Sequence, residues 1–269
     1  MVPVSVVIIT KNEADIIAQS INKALLITRD VVIIDNGSTD NTVQIAREAR
    51  CRVYTKKWDG YAANKNKGIE LAEYDWILSI DADEVPDDEL INALSKLNLN
   101  DSMVVYDIKF RSYFGDKMIR FGKWGHDHHI RLFNRTQVKW SDSPVHETLD
   151  IPAGVQRKKL QGNLQHYSVK DINDFHNKSV NYAHLCARKY YLNGKRSTFV
   201  KLYLSPLFNF VKNYVFRLGF LDGTEGWAIA SLTVKHTRLK YILLQQLEES
   251  NTVVKPQQVY IDEAVLAEY

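Results

Sequence analysis

Six acidic residues and no basic residue occupy positions 81–90, directly after an apolar run. They are Asp81, Asp83, Glu84, Asp87, Asp88 and Glu89. Pro86 and the last three acids are typical of a helix start, because the helix dipole favours anions there. Asp81 and Asp83 need another explanation, since an extended backbone would point both carboxylates to one side. A divalent cation shared with phosphate oxygens would relieve their repulsion; the structural alternative is an acidic turn without a ligand.

Four segments predict strands that would position these acids. Val4–Thr10 and Val31–Asp35 are β-branched runs typical of buried strands, and Cys51–Tyr54 and Trp76–Ile80 are a short third strand and a fourth. Helical patterns at 16–26, about 41–49 and 64–73 lie between them. Strands that alternate with helices indicate an α/β fold with a Rossmann-like, mainly parallel sheet flanked by helices. Ligands bind at the carboxyl edge of such a sheet.

Further polar residues follow the first two strands and therefore fall at the same predicted edge. The first strand leads into Thr10, Asn12 and Glu13, and the second leads into Asp35 and Asn36. A third segment, 60–68, combines small residues with the cations Lys65 and Lys67, each of which taken alone would suit a helix surface. Cations and carboxylates that converge on one edge predict a nucleotide diphosphate bound through a metal.

Four segments, in this order and at these spacings, resemble bacterial family 2 glycosyltransferases of the GT-A fold. They are Val4–Glu13, Ile34–Thr42, Ala63–Gly68 and Asp81–Glu84, the last being similar to the family's Asp-any-Asp metal motif. The resemblance covers about the first 100 residues. It implies an enzyme that uses Mg²⁺ or Mn²⁺ and a nucleotide-diphosphate sugar, with a UDP-sugar favoured as the donor.

The resemblance also implies site residues. It assigns donor binding to Thr10, Asn12, Glu13, Asp35, Asn36, Lys65 and Asp81, and metal binding to Asp83 and His166. Many family members carry a second acid where this chain has Asn36, so the identity of the base is less secure here. An amide can still pair with a base edge.

Three later segments resemble a subgroup that includes lipopolysaccharide inner-core glucosyltransferases: Arg131–Phe133, Val145–Glu147 and Leu164–Tyr167. The subgroup implies a glycan or lipid-linked acceptor in lipopolysaccharide core or other cell-envelope glycan synthesis. It places Glu147 where inverting members keep an acid that accepts the proton of the acceptor hydroxyl. Without that context, Glu147 would be a polar turn residue and His166 a packed or surface histidine.

Five of the eight histidines lie between residues 126 and 166. The residues predicted on the acceptor side are His126, Asp127, His128, Arg131 and His146. A zinc site at 125–129 is a weaker alternative, because no cysteine or regular histidine pair supports it. A solvated loop is the structural alternative for His126, His128 and His129.

The chain after residue 168 is predicted to be helical, which divides the sequence into three parts. A glycosyltransferase domain spans 1–168, with a nucleotide-sugar half at 1–100 and an acceptor half at 101–168. A helical extension spans 169–250, and an acidic tail spans 251–269. Within the extension, 205–221 is rich in aromatic residues and fits either a core helix or an interfacial helix on an anionic membrane. Six Lys/Arg against two acids in 200–245 favour the membrane surface.

Composition excludes several other classes. The 35 Lys/Arg and 32 Asp/Glu give a net charge of +3, which is too mild for a dedicated nucleic-acid binder. Two cysteines provide no disulfide framework and favour a cytoplasmic location, peripheral to the inner membrane face if the aromatic segment is interfacial. We expect no signal peptide and no membrane span.

Two rival functions share parts of this pattern. A nucleotidyltransferase of sugar phosphates would show a glycine-rich phosphate loop near the first strand, and 10–15 contains no glycine. A non-catalytic nucleotide-sugar-binding protein would not need Asp81, Asp83 and Glu147 together. A dinucleotide-dependent oxidoreductase is excluded, because no Gly-x-Gly-x-x-Gly follows the first strand.

Overall fold

The computed structural model describes residues 2–141 and 148–253, which form two compact units. The first unit contains the chain up to Arg111 together with Asp127–Tyr167. The second contains Ser112–His126 and the described chain from Ser168 to Val253.

The first unit begins with the predicted parallel strands. They are β1 (Val4–Thr10), β2 (Val31–Asp35), β3 (Arg52–Thr55) and β4 (Trp76–Asp81), in the order β3-β2-β1-β4. Every residue of β1 and β2 is buried, as expected for strands covered on both faces. The parallel register sets Thr10 opposite Asp35 and Ile9 opposite Asp81, so the ends of β1, β2 and β4 lie side by side.

Three helices connect these strands: α1 (Ile17–Ile27), α2 (Thr42–Glu48) and α3 (Tyr61–Leu71). The predicted start of α3 at residue 64 was three residues late. Gly60 adopts a φ of 108° immediately before the helix, a conformation that glycine tolerates. The helix therefore starts directly after this turn.

Antiparallel strands continue the sheet beyond β4 in the order β4-β8-β6-β11-β5, with β7 on β6 and a separate β9–β10 pair. The strands are β5 (Glu84–Pro86), β6 (Val104–Phe114), β7 (Lys117–Met118), β8 (His128–Asn134), β9 (Lys139–Trp140), β10 (Leu149–Asp150) and β11 (Gln156–Val169). The predicted α/β fold class is confirmed, and its parallel pairing lies within β1–β4.

The acidic segment after β4 folds differently from the predicted helix start. Pro86 ends the short strand β5 and is not the first residue of a helix. Helix α4 spans Asp88–Ser95, and Asp87 is its N-cap, with a carboxylate that accepts the Leu90 N–H at 2.8 Å. Asp88 and Glu89 do lie in the first turn, where the helix dipole stabilises them.

Alternate residues of β1 pack into two apolar layers, one on each face of the sheet. Val4, Val6 and Ile8 pack with α1, whereas Val7 and Ile9 pack with α3. Helix α3 approaches the sheet closely at Gly68. A Cβ at this position would lie 2.3 Å from Val7 Cγ1.

The second unit contains the predicted C-terminal helices, α5 (Ile172–Leu192), α6 (Ser205–Phe210) and α7 (Gly223–Val253). Two π-helical segments, Val200–Leu204 and Val211–Phe216, flank α6. Within the described residues, we find no helix with the length and apolar character needed to cross a bilayer.

We predict that Gly68→Ala lowers the free energy of unfolding by about 1–3 kcal/mol, because the buried side chain of Val7 cannot move aside without strain. Urea denaturation at neutral pH measures the change. Lys67→Ala is the control on the same helix, since its surface ion pair with Glu70 contributes little. Equal stability of the Gly68 variant and wild type would contradict the close packing.

Candidate functional site

The loops that follow β1 and β2 are hydrogen-bonded into one rim at the carboxyl edge of the sheet. Asn12 adopts a left-handed φ of 55°, which asparagine tolerates better than most residues. Its backbone N–H donates to Ser38 Oγ at 2.9 Å, and its Oδ1 accepts from Thr39 N–H at 2.8 Å. Glu13 N–H donates to Thr42 Oγ1 at 2.8 Å. The predicted donor residues Asn12 and Glu13 are therefore held by the β2 loop.

Asp35 and Asn36 are buried at this rim. The Asp35 carboxylate accepts the Gly37 N–H at 3.0 Å, which fixes the turn after β2. The Asn36 amide donates to Lys56 O at 3.1 Å and to Asn64 Oδ1 at 2.7 Å. Because both amide hydrogens are used within the protein, the side-chain oxygen is the group that Asn36 can offer to a ligand.

Asp81, at the end of β4, lies between two cations. Lys65 Nζ is 3.0 Å from Asp81 Oδ1, and Arg131 Nη2 is 3.4 Å from Asp81 Oδ2. Lys65 is fully buried and lies over the Trp140 ring at 4.7 Å. Burial alone would raise the pKa of Asp81, but Lys65 and Arg131 outweigh it and hold that pKa well below its usual range.

Glu84 completes this network and was not assigned a role from the sequence. It is 1% exposed, it contacts Arg131, and its Oε2 accepts the Asp81 N–H at 3.1 Å. Burial raises the pKa of Glu84, and Arg131 opposes that shift. The sequence contained a pattern that could have predicted this role of Glu84. An arginine inside the apolar run 130–133 is expected to be buried, and a buried arginine needs an acid as its partner. Arg131, predicted on the acceptor side, is itself buried in this network.

Asp83 and His166 form a second pair, with 3.5 Å between Asp83 Oδ2 and His166 Nε2. Antiparallel pairing of β11 with β5 places His166 opposite Glu84. Burial alone would lower the pKa of His166, but Asp83, with Glu84 and Asp81, raises it to about 9. The two metal ligands proposed from the sequence therefore lie together.

Asp81 and Asp83 do not point to one side of an extended backbone, so this prediction was wrong. Residues 82 and 83 form a turn after β4, so the backbone is not extended there. The Asp81 carboxylate consequently pairs with Lys65 and Arg131, whereas the Asp83 carboxylate pairs with His166.

The other residues predicted on the acceptor side belong to different units or lie outside the described residues. Asp127 and His128 belong to the first unit, where Asp127 Oδ1 lies 3.3 Å from His129 Nε2. The exposed His126 belongs to the second unit. His146 and the predicted base Glu147 lie outside the described residues. Among those that are described, no three potential metal-ligating side chains cluster, and this includes the segment once considered for zinc.

The sheet order and the charged carboxyl edge define a mixed α/β protein with a ligand site at the ends of its parallel strands. Residues 5–162 match the family described as Glycosyl transferase family 2, and the chain belongs to this family. It is therefore a glycosyltransferase, as the sequence motifs predicted.

Two relatives match almost the whole chain. An uncharacterized glycosyltransferase of Rickettsia typhi is 30% identical over 97% of this chain and 93% of that protein. The lipopolysaccharide core biosynthesis glycosyltransferase LpsC of Rhizobium meliloti is 29% identical over 86% of this chain and 90% of that protein.

A solved structure resembles part of the chain. Glucosyl-3-phosphoglycerate synthase from Mycobacterium tuberculosis, crystallised with Mn²⁺, UDP and glucosyl-3-phosphoglycerate, covers 41% of this chain and 44% of its own. The sequence identity is 21% and the TM-score is 0.33.

The charges at this edge fit a divalent metal. Asp83 provides the carboxylate oxygen that Mg²⁺ and Mn²⁺ prefer, and His166 provides a nitrogen beside it. Lys65 and Arg131 pair with Asp81 and Glu84, whereas the Asp83 carboxylate lies beside His166. The three carboxylates together raise the pKa of His166 to about 9, so positive charge is favoured at this point.

We predict that the free energy of unfolding of the metal-free protein falls as the pH rises from 6.5 through about 9. The pKa of His166 is raised above its unfolded value of 6.5, so its stabilisation is complete below pH 6.5 and is lost on deprotonation in the native state. The loss is on the order of 1–3 kcal/mol. Urea denaturation in EDTA from pH 6 to 10 measures it, and His166→Gln should flatten the profile.

His236→Gln is the matched control. Burial lowers the pKa of His236 to about 4, so its contribution is lost as the pH falls below 6.5, on the other side of the profile. If the free energy of unfolding of the His166 variant still declines above pH 6.5 as in wild type, His166 is not the group responsible for the decline.

Proposed function

We propose that the protein transfers a sugar from a nucleotide-diphosphate sugar, with a UDP-sugar favoured, to a glycan or lipid-linked acceptor in lipopolysaccharide core synthesis. The observation that carries the proposal is the Asp83–His166 pair beside the buried Asp81 network, at the carboxyl end of β4. Family membership supports sugar transfer. The similarity to LpsC over most of both chains supports the lipopolysaccharide core as the pathway.

In this proposal the rim and the buried network hold the donor. Thr10, Asn12 and Glu13 end β1 where the nucleotide would lie, and Asp35 and Asn36 border the base. Lys65 acts through Asp81, because its ammonium group is buried against that carboxylate and against Trp140. Lys65 keeps Asp81 ionised and holds its carboxylate in place. In this way it helps to shape the part of the site that would receive the diphosphate.

Asp83 and His166 would hold Mg²⁺ or Mn²⁺. When bound, the metal would neutralise charge that develops on the leaving diphosphate. For His166 to bind it, the imidazole must first release its proton, so cation binding at this pair is coupled to pH. Asp83 is the residue on which binding depends most, since carboxylate oxygens are the ligands that Mg²⁺ and Mn²⁺ prefer.

Glu147 is the proposed general base. A sugar hydroxyl is a poor nucleophile until a carboxylate within hydrogen-bond reach accepts its proton. Attack from the face opposite the leaving diphosphate would invert the configuration of the donor sugar, without a covalent intermediate. His126, Asp127, His128 and His146 remain candidates for the acceptor side.

We predict that Asp83→Ala abolishes metal-dependent donor binding and transfer while the protein stays folded. The measurement is a thermal-unfolding panel of nucleotide sugars with and without Mn²⁺, in which a specific donor stabilises wild type by mass action. Asp88→Ala is the control, because Asp88 is an exposed acid of the same cluster. Transfer that continues unchanged in chelator would exclude the metal, and the absence of stabilisation by every nucleotide sugar would oppose the donor class.

We predict that Glu147→Gln lowers the transfer rate by about 10²–10⁴-fold, the usual contribution of a general base. Donor affinity should hardly change, since the amide keeps the size of the side chain and the donor is held elsewhere. Calorimetry measures donor affinity, and a rate assay with saturating acceptor measures transfer. A near-normal transfer rate would mean that Glu147 is not the general base, and Asp142 or Asp127 would be the next candidate. A parallel loss of donor affinity would make Glu147 a donor-site or structural residue.

A further inference from the structure

The second unit exposes an unusual set of large apolar side chains along one segment, which we call the 199–227 surface. Phe216 is 75% exposed, Phe199 71% and Phe208 64%. The full set comprises Phe199, Val200, Tyr203, Leu204, Leu207, Phe208, Val215, Phe216, Leu218, Phe220, Leu221 and Trp227. These exposures contradict the interpretation of 205–221 as a core helix.

The exposed residues repeat with the period of one helix face. Phe199, Tyr203 and Leu207 are spaced four apart, and so are Val200, Leu204 and Phe208. On the other side of the segment, Pro206 is buried. The half-buried rings of Phe210 and Tyr214 contact Trp227, itself a member of the surface, at centroid distances of 5.7 and 5.4 Å. The surface is therefore the outer face of a packed element.

Hydrogen bonds fix the end of this element within the second unit. Asp222 is buried, and its carboxylate accepts the N–H groups of Arg120 and Phe121 at 3.1 and 2.9 Å. Lys117 Nζ donates to the Asp222 carbonyl at 2.7 Å. Arg217 O accepts the Gly122 N–H at 3.0 Å. The apolar side chains are thus presented on a fixed backbone.

The charges along residues 175–221, which lead into and form most of this surface, have one sign, and the acids Asp222 and Glu225 follow at its end. Residues 175–221 contain eight Lys/Arg and no Asp or Glu. The bases are Lys178, Arg188, Lys189, Lys195, Arg196, Lys201, Lys212 and Arg217. Lys195, Arg196 and Lys212 are themselves exposed. Aromatic side chains with flanking bases suit the boundary between anionic lipid headgroups and acyl chains.

We propose that the 199–227 surface inserts its apolar side chains into one leaflet of an anionic membrane, with the surrounding bases on the headgroups. Burial of apolar side chains among acyl chains provides affinity, and the bases restrict binding to anionic lipid. A second copy of this chain fits the face less well, because a symmetric contact would bring two acid-free basic segments together. The proposal goes beyond the transfer reaction and does not depend on it.

Flotation of the full-length protein with vesicles tests the proposal. One set contains phosphatidylcholine alone, and the other also contains phosphatidylglycerol. We expect wild type to float with the anionic vesicles and to be released partly by salt, which screens the headgroup charge. Leu207→Ser with Phe208→Ser should weaken partitioning at least tenfold, since a fully inserted side chain of this size contributes roughly that factor or more.

Matched variants separate the contributions. Leu26→Ser changes an equally exposed leucine of the first unit and should leave partitioning unchanged. Lys195→Gln with Arg196→Gln should weaken binding to anionic vesicles, whereas Lys67→Gln should not. Thermal unfolding checks that each variant is folded, and sedimentation velocity reports the oligomeric state.

Three results would overturn the proposal. If wild type stays in the soluble fraction with anionic vesicles, the 199–227 surface does not insert into membranes. If wild type binds neutral vesicles equally well, the bases do not contribute to lipid preference. A stable dimer that the Leu207/Phe208 double variant dissociates, without vesicle binding by wild type, would make the face an interface between two copies.

Discussion

Several charges in the interior of the first unit would be costly to bury without partners. Lys65 is fully buried and Glu84 is 1% exposed, so each needs an opposite charge within reach. Asp81 and Arg131 provide those charges. The four side chains come from α3, β5, β4 and β8, and their pairing constrains where these elements lie. The close approach of α3 at Gly68 helps to bring Lys65 beneath Asp81.

This buried network also sets the electrostatics of its more open neighbours. Lys65 and Arg131 keep Asp81 ionised, and Glu84 lies opposite His166 across the β5–β11 pair. Negative charge therefore concentrates near Asp83 and His166, which raises the pKa of that histidine to about 9. The same negative charge would attract a divalent cation once the imidazole releases its proton, and this links the packing of the sheet to the proposed chemistry.

The second unit differs from the first in exposing a face of large apolar side chains. Its aromatic segment packs one side on Trp227 and α7 and exposes the other to solvent. A single exposed apolar residue is ordinary, but a contiguous face of this kind on a rigid backbone is a feature of binding surfaces. The absence of acids between residues 175 and 221 gives that face its preference for anionic lipid in our proposal.

Patterns along the chain were enough to predict the α/β class, the parallel strands and the family, because β-branched runs, helical periodicity and the Asp-any-Asp segment are local. The resemblance, and not the spacing, also predicted that Asp83 and His166 act together, and the structure places them 3.5 Å apart. Only the tertiary structure placed Asp81 between Lys65 and Arg131, gave Glu84 its partner and exposed Phe208. These outcomes depend on pairing between strands about fifty residues apart and on which helix face remains uncovered, and neither is encoded in the local order of residues.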